Sequence, residues 1–246
     1  MGLIKQSSLE DNRKRQPLAA TEFERVLNLA NETREPYAQR SIYPASIYDK
    51  KVHEFVLDYF FPQEGIDEFK FQMYVSHGKA AERVIQHRLF LAGVLDCPHL
   101  TFQETTVYCA ETGISGRTDG IIWVEKIKAL GSKTPKPVPD KCRRAILEIK
   151  ETSNYQFSNI RTPDDVPMKY RWAQCAYQRI LGIPESCFLY VNRDSMNLKT
   201  MFYESDDATW DQIQAKCDLI WSHIRNQTIP FPEGEMTVDE YKEGSQ

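Results

Sequence analysis

The sequence contains no apolar run long enough to cross a membrane, and its start, M-G-L-I-K-Q-S-S-L-E-D, has no apolar signal segment. It has only 6 cysteines, which are scattered and form no C-x-x-C pair, so they indicate neither a zinc site nor a disulfide framework. Positive charge is not in excess either, because the net charge is −4. We therefore expect a soluble, cytoplasmic protein with reduced thiols, whose binding of nucleic acid would need a local basic surface.

What remains is the composition of an ordinary globular protein, with 41% hydrophobic residues in a chain of 246 residues. Neither an internal repeat nor a second domain is visible. We predict an N-terminal extension over residues 1–36, with a short helix that opens at the capping-box pattern T-E-F-E. The main domain is predicted over residues 37–229, and an acidic C-terminal tail over residues 230–246.

Hydrophobic periodicity places the elements of the main domain. Apolar residues recur at the helical period of 3.6 in four stretches, namely residues 49–60, 78–91, 168–181 and a last helix that begins at 206/207. Gly182 closes the third of these helices. Short apolar runs predict strands at residues 101–110, 114–125, 144–150, 187–192 and 198–203.

Acidic and basic side chains on two of the predicted strands indicate a metal-dependent site. Asp119 lies in an apolar run, and the next run reads A-I-L-E-I-K-E, which contains Glu148 and Lys150. Because side chains alternate along a strand, Glu148 and Lys150 point to the same face. Carboxylates of Asp119 and Glu148, with the backbone carbonyl of Ile149, suit Mg²⁺ or Mn²⁺, and Lys150 would orient a water molecule or stabilise developing charge.

Two polar residues occupy otherwise apolar helical stripes. Glu82 shares a face with Ile85 and Leu89, so it either meets a cationic partner or lies at the edge of the stripe and reaches water. A third metal-binding carboxylate would also explain its position. Gln174 falls inside the stripe of the helix predicted at residues 168–181.

The segment between the two site strands, residues 126–144, contains seven Lys or Arg residues against one acid, Asp140. Such a segment is either a solvated linker stiffened by prolines or a basic flap that contacts phosphates. The sequence favours neither.

In their order along the chain, four motifs resemble those of the PD-(D/E)XK nuclease superfamily, in particular its RecB-type branch and related phage exonucleases. The motifs are G-K-A-A-E, G-R-T-D-G, L-E-I-K and Q-C-A-Y, which contain Glu82, Asp119, Glu148 with Lys150, and Gln174 with Tyr177. The resemblance implies an α/β fold with a restriction-endonuclease-like core, in which helices flank a central mixed β-sheet.

By this resemblance, Glu82, Asp119 and Glu148 are metal ligands and Lys150 is the catalytic lysine, while Gln174 and Tyr177 support the site and contact the DNA backbone. Many relatives have His in place of Glu82, and the spacing from Gln174 to Tyr177 is one residue shorter than usual. Lys51 stands roughly where some relatives have a cluster-binding Cys, and the late group of three Cys is missing, so no iron–sulfur cluster is expected.

The function expected from these features is Mg²⁺- or Mn²⁺-dependent hydrolysis of DNA, as an exonuclease acting on ends in phage-like recombination or DNA degradation. Homo-oligomerisation and a recombination partner protein are compatible with this expectation. Alternatives are a structure-specific endonuclease, a ribonuclease with the same site, or an inactive nuclease fold that only binds nucleic acid. A plain α/β domain would have to treat the four polar motifs as unrelated accidents.

Overall fold

The computed structural model of the protein describes residues 33–34, 41–62, 65–66, 69–97, 104–134 and 137–244. The helix predicted near residues 21–30 lies outside these residues. The chain divides into two units. Among the described residues, the smaller unit contains strands β1 (Thr33–Arg34) and β2 (Gly65–Ile66), which pair antiparallel, and the first part of a long helix up to Ser76. The larger unit contains every candidate site residue.

A mixed sheet of four strands forms the centre of the larger unit. Its strands are, in spatial order, β5 (Gly120–Trp123), β6 (Arg144–Thr152), β7 (Glu185–Asn192) and β8 (Leu198–Glu204). Strands β6 and β7 are parallel, whereas the outer pairs are antiparallel. Every residue of β7 is buried, as expected for an apolar strand covered on both faces. The predicted α/β class with a central mixed sheet flanked by helices is confirmed.

Helices cover both faces of this sheet. Helix α3 (Phe69–Leu91) packs Ile85 and Leu89 against odd-numbered residues of β6, such as Leu147. Helix α6 (Met168–Leu181) packs Ala173 and Tyr177 on the opposite face, against Ile146. It ends as predicted at Gly182, whose φ of 63° is the left-handed conformation that glycine adopts without strain. The two faces of β6 therefore contact two different helices.

A further layer packs against α6. Helices α1 (Pro44–Ile47), α2 (Val52–Phe60) and α7 (Asp207–Asn226) contribute to one apolar cluster that includes Phe55, Ile213, Cys217 and Ile220. Asp206 caps α7 by accepting a hydrogen bond from Thr209 N at 2.6 Å. A hairpin of β3 (Thr105–Cys109) and β4 (Ile114–Thr118) lies next to this layer.

Several element boundaries differ from the prediction. Helix α3 begins at Phe69 instead of near residue 78, because Gly78 is accommodated inside the helix. The strand predicted at residues 114–125 is broken at Asp119 into β4 and β5, which belong to different sheets. The segment predicted as a loop at residues 126–144 is partly helical, since α4 (Val124–Leu130) occupies its start. A short helix, α5 (Asn154–Asn159), follows β6.

The prediction of a C-terminal tail over residues 230–246 is wrong for the residues described there. Strands β9 (Thr228–Phe231) and β10 (Gly234–Thr237) form a hairpin, and helix α8 (Val238–Gly244) follows it. Val238 is buried together with Val56 and Ile229. Apolar residues far apart in the sequence pack this segment against the rest of the larger unit. They are not apparent in the sequence, because acidic residues predominate around them.

Three of the six cysteines, Cys175, Cys187 and Cys217, are buried in the core. The expectation of reduced thiols stays a prediction. Among the described residues, no helix is both long enough and apolar enough to span a bilayer.

Candidate active site

Asp119 lies where the chain leaves β4 and enters β5. Strand β5 pairs with β6 only as far as Gly120, which is opposite Leu147. Among the described residues, no strand pairs with the following part of β6 on that edge. The side chain of Asp119 takes over this position, because its Oδ2 accepts a hydrogen bond from Ile149 N at 2.6 Å. The break in the predicted strand therefore brings the Asp119 carboxylate to the amide between Glu148 and Lys150.

Glu148 and Lys150 point to the same face of β6, as the strand period predicted. Lys150 Nζ lies 2.5 Å from Glu148 Oε1, and the other oxygen of Glu148, Oε2, accepts a hydrogen bond from Gln174 Nε2 at 2.7 Å. Both side chains are mostly buried, with 12% of Glu148 and 29% of Lys150 exposed. We refer to Asp119, Glu148 and Lys150 as the carboxylate–lysine cluster.

Gln174 positions Glu148 from helix α6. Its side chain is fully buried, and its Oε1 accepts a hydrogen bond from Ser186 Oγ at 2.9 Å. Ser186 in turn accepts from Gln178 Nε2 at 2.8 Å, so the amide of Gln174 is fixed at both ends. Gln174 thus contacts Glu148 from inside the core. Its predicted support of the site and its predicted contact with the DNA backbone stay predictions.

Tyr177 holds strand β4, which leads into Asp119. Its hydroxyl accepts a hydrogen bond from the backbone N–H of Arg117, and only 7% of the residue is exposed. The ring lies so close to Gly116 that a Cβ there would be 2.5 Å from the tyrosine oxygen. Any side chain at this position of β4 would force the tyrosine ring or the strand to shift. The substrate contact predicted for Tyr177 stays a prediction.

Glu82 faces the cluster from helix α3, on the other face of the sheet. Its Oε1 accepts a hydrogen bond at 2.9 Å from Gln86 Nε2, which also donates to the backbone carbonyl of Asp119 at 3.0 Å. The partner of this half-buried carboxylate is thus an amide, and the cation considered from the sequence is not needed. Gln86 is 2% exposed and was missed. Its signal was a second polar residue on the same apolar stripe, four residues after Glu82.

Glu151 was also missed, although it follows Lys150 directly. Its side chain points to the face opposite Lys150 and is 7% exposed. Its Oε2 lies 2.7 Å from Nδ1 of His77, the first residue of α3 that belongs to the larger unit. Its Oε1 lies 2.5 Å from Nε of Arg193, the residue that follows β7. These contacts fix β6 to α3 beside the carboxylate–lysine cluster.

Burial and crowding shift the acidities of the cluster. Burial raises the pKa of Asp119 well above its ordinary value, and the negative charge of Glu148 adds to this effect. Burial also raises the pKa of Glu82, and the negative charge of Glu104 adds to this effect. Burial alone would lower the pKa of Lys150, but the carboxylates of Glu148 and Asp119 outweigh burial and raise it. The site therefore holds more carboxyl groups than its one ammonium group can balance, and Asp119 and Glu82 bind protons more tightly than free carboxyl groups do.

The donor set fits a hard divalent cation. The three carboxylates and the carbonyl of Ile149, whose N–H already points to Asp119, are oxygen ligands of the kind that Mg²⁺ and Mn²⁺ prefer. As they stand, however, no three His, Cys, Asp or Glu side chains in the described part of the chain are grouped closely enough to hold an ion. An ion held here would therefore require the Glu148 carboxylate to give up its contact with Lys150.

A groove with a volume of ≈ 760 Å³ opens beside Asp119. Helix α3 contributes Glu82, Lys79 and Arg83 to its wall, and β4 contributes Arg117. Arg117 forms an ion pair with Glu104 at 3.1 Å, and 69% of its side chain is exposed. The groove thus combines one carboxylate end with a partly basic wall.

No protein-family model matches the sequence, and no curated protein is similar to it. Solved structures are similar at low identity. An alkaline exonuclease from Laribacter hongkongensis (LHK-Exo) has 13% sequence identity and a TM-score of 0.46, and the match covers 83% of this chain and 93% of that one. The same enzyme in complex with dAMP matches with 13% identity, a TM-score of 0.43 and coverages of 76% and 88%. The protein SSO0001 matches with 14% identity, a TM-score of 0.38 and coverages of 83% and 86%.

Proposed function

We propose that this chain is a metal-dependent nuclease that hydrolyses phosphodiester bonds in DNA. The observation that carries the proposal is the carboxylate–lysine cluster, in which Asp119 binds the amide between Glu148 and Lys150. Two buried carboxylates beside an ammonium group at an open strand edge suit a reaction that handles a charged phosphate and a water molecule. A structural role alone does not explain why several carboxyl groups are buried so close to one another.

In this proposal Asp119, Glu148 and Glu82 hold one or two Mg²⁺ or Mn²⁺ ions, together with the carbonyl of Ile149. When bound, the metal neutralises charge on the scissile phosphate and lowers the pKa of a water molecule. The remaining steps fall to the protein. Gln174 fixes the carboxylate of Glu148, and Gln86 fixes the backbone at Asp119, so that the ligands are oriented before substrate arrives.

Lys150 acts as a cation. It is held by Glu148. With Glu148 serving as a metal ligand, the ammonium group of Lys150 would donate a hydrogen bond to a non-bridging oxygen of the phosphate. The transition state has more charge on this oxygen than the ground state, so the interaction accelerates the reaction. The groove beside Asp119 would take the DNA strand, with Lys79, Arg83 and Arg117 near its phosphates.

We propose that the enzyme acts on DNA ends, as the motif resemblance implied. The test is digestion of end-labelled linear duplex DNA with Mg²⁺ or Mn²⁺, in parallel with closed circular DNA, branched DNA and RNA. We expect wild type to degrade the linear duplex only with the metal present, and K150A to be slower by about 10²- to 10³-fold. Wild-type activity in D119A or K150A would overturn the assignment, and K242A, far from the site, is the control.

A further inference from the structure

A second cavity lies on the other side of Lys150. It has a volume of ≈ 440 Å³, within the range of about 300–1,000 Å³ that is typical of ligand pockets. The end of β6, helix α5 and the start of α6 form its walls, and its lining includes Lys150, Gln156, Lys169, Tyr170 and Tyr190. A group attached to a phosphate at Lys150 therefore has direct access to it.

Tyr190 contributes an unused hydrogen-bonding group to this cavity. It is the direct neighbour of Lys150 in the parallel pairing of β6 and β7, so the two side chains share a face of the sheet. Only 2% of Tyr190 is exposed, and its hydroxyl has no hydrogen-bond partner in the described structure. Buried hydroxyls are nearly always paired, so this one is open to a partner from outside the chain, such as a water molecule or a ligand.

Positive charge lies at the same cavity. The ammonium groups of Lys150 and Lys169 are 5.1 Å and 5.4 Å from the centre of the Tyr170 ring. The ion pair of Lys169 with Asp49 is long, at 3.7 Å, and both side chains are substantially exposed. Lys169 is therefore available to a ligand at little cost to the fold.

The carboxylates that line the cavity are already satisfied by the protein. Glu151 is paired with His77 and Arg193. Asp165 accepts hydrogen bonds from the backbone N–H groups of Arg161 and Thr162 and from the Thr162 hydroxyl.

The side-chain amide nitrogen of Gln156 also has no hydrogen-bond partner among the described residues. Its carbonyl oxygen accepts from Thr152 Oγ1 at 2.7 Å, which leaves its amide N–H groups as donors. The cavity thus offers three groups that can donate hydrogen bonds to a ligand, one of them positively charged. They are the Gln156 amide, the Tyr190 hydroxyl and the Lys169 ammonium group. Such a lining recognises an anion.

We propose that this cavity binds a phosphate group of the nucleic acid strand, namely the phosphate next to the scissile one. The inference rests on the proposed function, because Lys150 is taken to contact the scissile phosphate and also lines the cavity. Tyr190 donates a hydrogen bond to the neighbouring phosphate and Lys169 supplies charge. The strand is thereby held on both sides of the reacting bond, which fixes the register of cleavage.

The experiment moves one neutral methylphosphonate linkage along the cleaved strand of a linear duplex, one position at a time. Cleavage is measured with Mg²⁺ or Mn²⁺, and binding is measured separately in EDTA, where no cleavage occurs. The variants are Y190F and K169M in the full chain. Matched controls are Y155F, whose tyrosine is 79% exposed outside the cavity, and K242M, whose lysine has a similar ion pair with Asp239 at 3.6 Å.

For wild type and both controls, we expect the neutral linkage to weaken binding by about tenfold or more at the position next to the cut. In Y190F and K169M, the neutral linkage next to the cut should weaken binding less than it does in wild type. At every other position, the effect of the neutral linkage should equal that in wild type. If both variants keep the wild-type profile, the cavity does not bind a phosphate and the proposal is overturned. A wild type that binds but does not cleave contradicts the proposed function, whereas the binding profile still decides the phosphate site.

Discussion

The Oδ2 atom of Asp119 accepts a hydrogen bond at 2.6 Å from the backbone N–H of Ile149, the residue between Glu148 and Lys150. One carboxylate is thus tied to the backbone that carries the other carboxylate and the lysine. The position of the Asp119 carboxylate relative to Glu148 and Lys150 therefore depends on main-chain geometry. Changes that disturb this geometry from a distance should therefore affect activity.

Gln174→Leu should lower kcat with little change in KM. The substitution leaves Glu148 Oε2 and the Ser186 hydroxyl without their partner, so the ligand carboxylate loses its orientation while the groove is untouched. We expect a fall in kcat of about 10- to 100-fold, as for other groups that orient a metal ligand, and a loss of stability of about 1–3 kcal/mol. Steady-state kinetics and thermal unfolding measure both effects. Gln212→Leu, at an exposed position of α7, is the control, and equal effects of the two variants would contradict the role.

Gly116→Ala should disturb the site through Tyr177. The new Cβ would lie 2.5 Å from the tyrosine oxygen, so β4 or the ring has to move. We expect a destabilisation of about 1–3 kcal/mol and reduced activity, because β4 leads directly to Asp119. Tyr177→Phe in the same chain should restore part of the stability by removing the clashing oxygen.

Gly78→Ala is the control for Gly116→Ala and should change the free energy of unfolding in the opposite direction, as measured by denaturant unfolding. It lies inside helix α3, and nothing is within 4 Å of the added Cβ. We expect a gain of about 0.5–1 kcal/mol, since alanine is the better helix former. If Gly116→Ala is as neutral as this control, the close contact with Tyr177 does not constrain the strand.

Gln86→Met should weaken metal binding. The amide of Gln86 connects Glu82 to the backbone carbonyl of Asp119, and methionine keeps its length without its hydrogen bonds. We expect the affinity for Mn²⁺ to fall by about 10- to 100-fold, as measured by calorimetric titration of the protein without DNA. His87→Gln, at the exposed neighbouring position, should bind Mn²⁺ like wild type. An unchanged affinity in Gln86→Met would remove Glu82 from the ligand set.

Val238→Ala should destabilise the larger unit, although sequence patterns assigned this residue to a tail. Val238 is 3% exposed and packs with Val56 and Ile229, so the substitution creates a cavity in a cluster shared with α2. We expect a cost of about 1–3 kcal/mol in chemical denaturation. Met236→Ala, at a 39% exposed position of β10, should cost much less.

Sequence patterns predicted those parts of the structure that local geometry determines. The period of two placed Glu148 and Lys150 on one face, and the helical period with Gly182 located α6. The partners of these residues could not be predicted in the same way, because they come from distant parts of the chain. Gln86 and the Asp119 carbonyl are 33 residues apart, and His77 and Glu151 are 74 apart.

The break at Asp119 shows the same limit. Nothing in the apolar run of residues 114–125 marks the point where the chain passes from one sheet to another. That point is set by the length of β6 and by the packing of Tyr177 on Gly116, which are tertiary effects. The C-terminal hairpin and α8 were missed because their buried residues, Ile229 and Val238, are separated by the turn of the hairpin and follow no simple period.

The alternation of β6 has a consequence for how this chain tolerates insertions and deletions. Its even positions carry Glu148 and Lys150, and its odd positions carry Ile149 and the anchoring Glu151. Adding or removing a single residue within the strand would exchange the two sets, so that the anchor faced the site and the lysine faced helix α3. We therefore expect the chain to tolerate length changes in the exposed connection before β6 and not within the strand itself.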